Sequence, residues 1–254
     1  MELENKNIII TGGAGGIGTT TVKMLKEKNC TIGIVDNNEK NILLLKKHLD
    51  NITSGKALYY PIDAGDITKV EKSVNDFIGR SGHIDILINN SAILKDSPLI
   101  SIFKGEIKKI SIKTWNKTMA SNLNSFFYFT REVVEKMILQ RTKGIIINIS
   151  SISSSGNIGQ TSYAASKSAI NALTVTWSQE FSAFGIRVAG LAPGMTNTSM
   201  PINSMTKQQI DTWINKIPLR RMAEPQEISH GIKFIIENDY FSGRTLELDG
   251  GLRM

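Results

Sequence analysis

Short β-branched runs alternate with longer amphipathic stretches along the chain. The runs NIIIT, TIGIVD, ALYYPID, DILINN, GIIINIS, IRVAGLA and TLELD, near residues 9, 34, 60, 87, 147, 189 and 247, predict seven strands. Between them, TTTVKMLKEK, EKNILLLKKHL, ITKVEKSVNDFI, TWNKTMASNLNSFFYFTREVVEKMIL, SYAASKSAINALTVTWSQEF and EPQEISHGIKFIIE carry helical periodicity, the fourth as one long helix. Thr68 followed by Glu71 predicts a capping box, and Pro225 suits a first helical turn. GMTNTSMPINSMTKQQIDTWINKI predicts a packed helix pair, or, through Met195, Met200, Met205 and Trp213, a mobile lid over an apolar substrate.

Several strands are apolar on both faces, as a parallel sheet covered by helices on both sides requires. With right-handed crossovers, the expected fold is α/β: one Rossmann-type domain over residues 1–254, its doubly wound seven-stranded parallel sheet flanked by helices. Ligands in such sheets sit outside the carboxyl ends of the strands, so chemistry is sought just past each strand.

Composition narrows the function classes. At 254 residues and 41% hydrophobic content the chain can bury a sizeable core, and no linker or repeat divides it. No uncharged run is long enough to span a bilayer, so a soluble, cytoplasmic protein with no membrane partner is expected. The single cysteine, Cys30, excludes an internal disulfide framework, and three scattered histidines add no ligand pattern, so no metal is expected. The net charge of +7 is spread out, with a modest cluster in FKGEIKKISIKTWNK. A solvated face accounts for it; alternatively Lys104, Lys108 and Lys109 attract a phosphorylated or acidic-protein-borne substrate. Nucleic acid is not expected as a partner.

TGGAGGIG, residues 11–18, follows the first strand and opens the first helix. Glycines permit a tight turn and close approach of a pyrophosphate, and a helix N-terminus offers free N–H groups. Two registers fit: Gly13, Gly15 and Gly18 as G-x-G-x-x-G, or Gly12, Gly16 and Gly18 as T-G-x-x-x-G-x-G. A purely structural turn is the alternative. Asp36 ends the second strand eighteen residues after Gly18, where a carboxylate can accept from the adenosine ribose hydroxyls. Because it would repel a 2′-phosphate, NAD(H) is favoured; NADP(H) stays open through Lys40, and Asp36 could instead only cap the next helix.

Tyr163 and Lys167, four apart, share one helix face on the same carboxyl edge. A phenol with pKa near 10 is a poor acid–base catalyst at neutral pH unless its anion is stabilised. Lys167, the helix start and an oxidised nicotinamide together would supply that charge, and a hydroxyl from the serine-rich NISSISSS could hold the substrate oxygen.

With these residues assembled, the chain resembles the short-chain dehydrogenase/reductase family from about residue 6 to its end. The matching pieces are TGGAGGIG, Asp36, Asp63, NNSA at 89–92, Asn122 in SNLNSFF, the serines of NISS, YAASK, and PGMTNT at 193–198. The ending GRTLELDGGLR is most similar to 3-oxoacyl-acyl-carrier-protein reductase-like members. The resemblance implies Tyr163 as general acid/base, a serine polarising the carbonyl, Lys167 lowering the phenol pKa and binding the nicotinamide ribose, and Asn122 holding a proton-relay water. It assigns cofactor contacts to Gly12, Gly16, Ile17, Gly18 and Asn90, the adenine to Asp63, and the nicotinamide side to Pro193, Gly194 and Thr198. It further implies a homotetramer with interfaces from regions 114–140 and 160–183 and C-terminal contacts.

Simpler readings stand beside these: Asn122 as a helix-kinking amide, Asp63 as a turn residue, Pro193 and Gly194 as a strand terminator. The chain also departs from the family pattern. Ser91 and Ala92 replace the usual small pair, so a glycine-only conformation at Ala92 could not survive. The catalytic serine is Ser150 by counting back from Tyr163 or Ser151 by strand register; Ser151 is preferred because loops absorb deletions whereas a register slip flips faces. The segment ILKDSPLISIFKGEIKKISIKTW is longer than usual and is expected to shape one wall of the substrate entrance. The function expected is reversible hydride transfer between NAD(H) and a carbonyl or secondary alcohol. The substrate would be a small molecule or acyl-carrier-borne: a β-ketoacyl thioester, a sugar derivative or a small alcohol. A non-catalytic dinucleotide-binding scaffold and a nucleic-acid-binding protein are the rivals.

Overall fold

The isoleucine-rich runs sort their side chains by parity. Ile8, Ile10, Ile32, Ile34, Ile86 and Ile88 face one core, while Ile9, Val35 and Leu87 face another on the opposite side of the same sheet. The computed structural model describes residues 1–253, with only the backbone of Phe103 and Asn203; Met254, the last residue of the expected domain, lies outside the described residues.

The elements run β1 (Asn7–Thr11), α1 (Gly16–Glu27), β2 (Thr31–Asp36), α2 (Glu39–Leu49), β3 (Lys56–Pro61), α3 (Ile67–Ser81) and β4 (Ile86–Asn89). After a hairpin of β5 (Ile100–Phe103) and β6 (Glu106–Lys109) come α4 (Ile112–Met119), α5 (Ser125–Leu139), β7 (Ile145–Ile149) and α6 (Thr161–Glu180). The chain continues with β8 (Arg187–Pro193), α7 (Ser199–Ser204), α8 (Lys207–Lys216), α9 (Pro225–Glu237) and β9 (Thr245–Leu248). The expected strands form a seven-stranded sheet, β3-β2-β1-β4-β7-β8-β9, parallel throughout. Val22, Leu45 and Ile232 of α1, α2 and α9 cover one face; Phe77, Phe129 and Trp177 of α3, α5 and α6 cover the other. The chain is thus a single-domain, doubly wound α/β fold. The strand order reverses between β1 and β4, which opens a crevice at the carboxyl ends of the strands.

Three local expectations are corrected, and one segment gains an element. The long helix is interrupted by a π-helical turn, Ala120–Asn124, between α4 and α5; the buried Asn122 sits in it, and its amide bonds Ile93 rather than its own helix. Asp66, not Thr68, caps α3, accepting from the Lys69 amide at 3.3 Å; Thr68 already lies inside the helix. The entrance segment, for which the sequence predicts no element, forms the β5–β6 hairpin, whose pairs Ile100↔Lys109 and Ile102↔Ile107 are antiparallel. Finally, α7 and α8 are not a packed pair in the ordinary sense, since no described residue of α8 is buried. Pro225 does occupy the first turn of α9.

Candidate active site

The turn after β1 uses backbone suited to glycine. Gly12 has φ +61°, and a Cβ there would come within 3.0 Å of Ser91 Cα. Asn90 holds that turn, its Nδ2 donating to the carbonyls of Thr11 and Gly12 at 3.2 and 3.0 Å. A Cβ on Gly16 would lie 2.4 Å from Thr198 Cγ2, and one on Gly18 would lie 2.2 Å from the Gly12 carbonyl oxygen. Gly12, Gly15 and Gly16 line the space above the turn, whereas Gly13 packs on Ile10 and Ile34 in the core. Ala92 has no positive φ, so its methyl is accommodated.

A cleft of about 380 Å³ opens above this turn. Gly12, Gly16, Ile17, Asn90, Pro193, Gly194 and Thr198 line it, as expected of cofactor contacts. Gly18 does not: it lies beneath, letting α1 press against the turn. Asp63 does not either, although its neighbours Ile62 and Ala64 do. Its carboxylate accepts from the Gly65 amide at 2.9 Å, so the side chain is folded into its own turn.

Asp36 closes one end of the cleft. Its carboxylate accepts from the Ala14 amide at 3.1 Å and the Asn38 amide at 3.0 Å, and so ties β2 to the glycine turn. Partial burial pushes its pKa up, against the pull of those amides. The cap of α2 is Asn38, not Asp36. Lys167, at the other end, is the one basic side chain among the described lining residues, and Lys40 is not among them. A glycine cradle at a helix start, leading to a carboxylate in a pocket of Val35, Asn37 and Ile62, fits a nicotinamide dinucleotide.

At the opposite end the edge of β7 meets α6. Even-numbered residues of β7 face α6: Ile146 joins that core and Asn148 donates to Thr174 Oγ1 at 3.0 Å. Ser150 keeps this parity and is buried, its hydroxyl donating to the Lys167 carbonyl at 3.2 Å. Ser151 is extended, caps a short 3₁₀ turn by accepting from the Ser153 amide at 3.1 Å, and lies against the phenol of Tyr163. Both serines, Tyr163 and Lys167 line the cleft.

Lys167 is 1% exposed, and its Nζ donates to the Ile149 carbonyl at 2.7 Å. Burial pulls its pKa down to about 7. Burial likewise pushes Tyr163 up to about 12; contact with Ser151 offsets part of this, and the charge of Asp96 adds to it. The expected depression is that of Lys167, the helix start and an oxidised nicotinamide together; in the chain without a dinucleotide, burial sets the direction. The ammonium points to Ile149, 5.8 Å from the centre of the Tyr163 ring, and desolvation outweighs it.

Asn122 does not line the cleft, though its neighbour Ser121 does. Its amide both accepts from the Ile93 N–H at 2.8 Å and donates to the Ile93 carbonyl at 3.0 Å. It therefore fixes the segment after β4 that lines the cleft as Ile93 and Leu94. Sequence reasoning missed Gln160 and Asp96. Gln160 immediately precedes α6, is buried and lines the cleft, and the backbone at Ser97 bridges to it. No motif signals that contact, because it joins a loop after β4 to a helix more than sixty positions on. Met195, Met200, Met205 and Trp213 also line the cleft, on the α7–α8 side.

Comparison with known proteins agrees with this geometry. A family model described as short chain dehydrogenase matches residues 6–209. The 3-oxoacyl-[acyl-carrier-protein] reductase FabG of Thermotoga maritima is 33% identical over 255 residues, covering 99% of each chain. The acetoacetyl-CoA reductase of Allochromatium vinosum is 32% identical over 252 residues, covering 97% of this chain and 98% of its own. The crystal structure of levodione reductase superimposes with a TM-score of 0.91 at 26% identity over 98% of each chain. That of 3-oxoacyl-[acyl-carrier protein] reductase from Brucella melitensis gives 0.87 at 26% identity, covering 99% of this chain and 92% of that one. A glycine cradle, a carboxylate at β2 and a Ser–Tyr–Lys cluster at α6, carried on a matching sequence over most of the chain, establish the family: this protein belongs to the short chain dehydrogenases, oxidoreductases that work with a nicotinamide dinucleotide.

Proposed function

We propose that the chain reduces the 3-oxo group of a thioester, reversibly, with Tyr163 as the proton donor. The observation that carries this is the placement of the Ser151 hydroxyl against the Tyr163 phenol at the end of the cleft away from Asp36. Gly12, Gly16, Ile17 and Asn90 would hold the dinucleotide, with Asp36 on its adenosine ribose and Pro193, Gly194 and Thr198 beside its nicotinamide. When bound, the dinucleotide supplies the hydride and, once oxidised, a positive charge. Ser151 orients the carbonyl oxygen, and Tyr163, kept protonated by burial, gives that oxygen its proton. In this reading Lys167, which lines the cleft, binds the nicotinamide ribose and restores the proton to the phenol. Asn122 holds the wall at Ile93 and, in this reading, would also hold a proton-relay water.

The thioester reading draws on two relatives named for 3-oxoacyl-[acyl-carrier-protein] and acetoacetyl-CoA. Methionines and Trp213 along the cleft suit an acyl chain. NAD(H) is the preferred cofactor in this reading, supported by the carboxylate of Asp36 and the absence of a second basic side chain among the described lining residues. The reading includes a cytoplasmic homotetramer. Its support is the exposed Phe127 and Val175 on α5 and α6, and a lone cysteine, which suits a reducing compartment. No helix among the described residues is long and apolar enough to cross a membrane.

The test is a cofactor-oxidation assay with acetoacetyl thioesters, NADH and NADPH in parallel, on the wild type, Tyr163→Phe and Asp36→Ala. NADH-linked turnover that vanishes in Tyr163→Phe supports the chemistry, and a weakened NADH preference in Asp36→Ala supports the cofactor choice. Full activity in Tyr163→Phe, or an unchanged cofactor ratio in Asp36→Ala, overturns the corresponding assignment.

A further inference from the structure

The hairpin of β5 and β6 stands apart from the seven-stranded sheet and presents both an apolar face and an open edge. Lys104 and Gly105, with φ of +51° and +79°, make the turn that reverses it. The register Ile100↔Lys109, Ser101↔Lys108 and Ile102↔Ile107 puts Ile100, Ile102, Ile107 and Lys109 on one face, and Ser101, Glu106 and Lys108 on the other. Ile102 and Ile107, directly opposite each other, are still 74% and 68% exposed, and Ile100 is exposed as well. A two-stranded hairpin is at best marginally stable in water, so one with an uncovered apolar face gains from further strands.

The outer edge of β6 decides which strand can be added. The Ile110 N–H donates to the Leu99 carbonyl at 3.1 Å. Backbone groups alternate in direction along an antiparallel strand, so Glu106 and Lys108 direct theirs to β5, as Ile110 does, and Ile107 and Lys109 direct theirs outward. Among the described residues, no backbone hydrogen bond from another segment meets that edge. A second β6, antiparallel and related by a two-fold axis, would centre on one residue of the strand. Centred on Glu106, Lys108 or Lys109, the pair sets a charge directly against the same charge of the second copy, which is destabilising. Centred on Ile107, it exchanges both backbone hydrogen bonds of Ile107 and sets Glu106 of each copy opposite Lys108 of the other. It also aligns Ile102 and Ile107 of both copies in one row across four strands. Lys108 already has an interaction within its own chain, and an ammonium with three donors can serve both.

We propose that this hairpin is a docking edge for a second copy of the chain, the two β6 strands pairing antiparallel about Ile107 into one four-stranded sheet. The contact is separate from the exposed Phe127 and Val175 on α5 and α6, and it does not depend on the reductase reading. The bridge Ser97↔Gln160 fixes the foot of the entrance segment beside a residue that lines the cleft, so pairing would hold the entrance segments of two copies together.

The test is disulfide formation in the full chain. Cys30, the only cysteine, is buried, so Ile107→Cys and Ile102→Cys each add a single exposed thiol. Across the axis the two 107 positions stand about 5.5 Å apart between Cα atoms, within disulfide reach, whereas the two 102 positions lie three strand spacings apart, roughly 14 Å. Under mild oxidation Ile107→Cys is expected to form a covalent dimer about tenfold faster than Ile102→Cys, read on non-reducing gels. Adding Glu106→Lys to Ile107→Cys should slow dimer formation about fivefold, and adding Lys108→Glu as well should restore it. The hairpin lies outside both hydrophobic cores, so these variants should keep the fold, which circular dichroism checks. Equal rates at positions 107 and 102, or a slowed rate that the charge exchange does not restore, overturns the proposal.

Discussion

The Ser150 hydroxyl donates to the main-chain carbonyl of Lys167 at 3.2 Å, so this serine is spent on holding α6 to the end of β7. Its neighbour Ser151 is left to face the phenol. Adjacent serines with opposite fates predict separable mutants. Ser151→Ala is expected to lower kcat about 10²–10³-fold and, through loss of its bond to the Ser153 amide, to cost about 1 kcal/mol of stability as well. Ser150→Ala is expected to keep most of the activity and lose about 1 kcal/mol of stability, since a buried hydroxyl and its hydrogen bond are removed. Steady-state kinetics with urea denaturation on both variants checks this; the reverse pattern would exchange the two roles.

Gly18→Ala is expected to weaken dinucleotide binding more than tenfold although Gly18 does not line the cleft. Its Cβ would sit 2.2 Å from the Gly12 carbonyl oxygen, so either the glycine turn or α1 must move. Overpacking of this kind costs on the order of 1–3 kcal/mol. Fluorescence titration with the reduced cofactor, alongside thermal denaturation, measures both effects. Wild-type affinity would mean that the turn yields without disturbing its ligand.

Stability should rise with pH above neutrality because of Lys167. Its folded pKa is about 7 against an ordinary value of 10.5, so between those limits the unfolded chain binds a proton that the folded chain does not. Stability then increases with pH through that window and is flat below it. Tyr163 acts in the opposite direction only above pH 10, where its raised pKa keeps a proton that the unfolded phenol has lost. Urea midpoints near pH 6.5 and 9.5 for the wild type and Lys167→Met check the sign: the variant should lack the rise contributed by this one group. Parallel pH dependence in the two proteins would mean that Lys167 keeps its proton when buried.

The sheet and most helices were legible because their signals are local. Ile8, Ile9 and Ile10 announce a strand covered on both faces, and the glycines that open α1 announce a turn that other residues cannot make. The four-residue spacing of Tyr163 and Lys167 fixed their common helix face for the same reason. Strand parity, a local signal, continues into Ser150 and turns its hydroxyl to the Lys167 carbonyl.

What escaped the sequence depends on partners distant along the chain. The π turn at Asn122 looks like ordinary helix until Ile93 is seen to engage its amide. Asp63 and Gly18 match motif positions, but an Asx turn and helix packing take them out of the cleft. Asp96 carries no motif, and only the bridge from Ser97 to Gln160 brings it to α6. The sequence by itself determined the layered fold and the residue types at the strand ends, because periodicity and glycine geometry are properties of neighbours. The tertiary structure alone decided which of those groups face the cleft and which charges they feel, because desolvation and electrostatic coupling depend on distances that only packing sets.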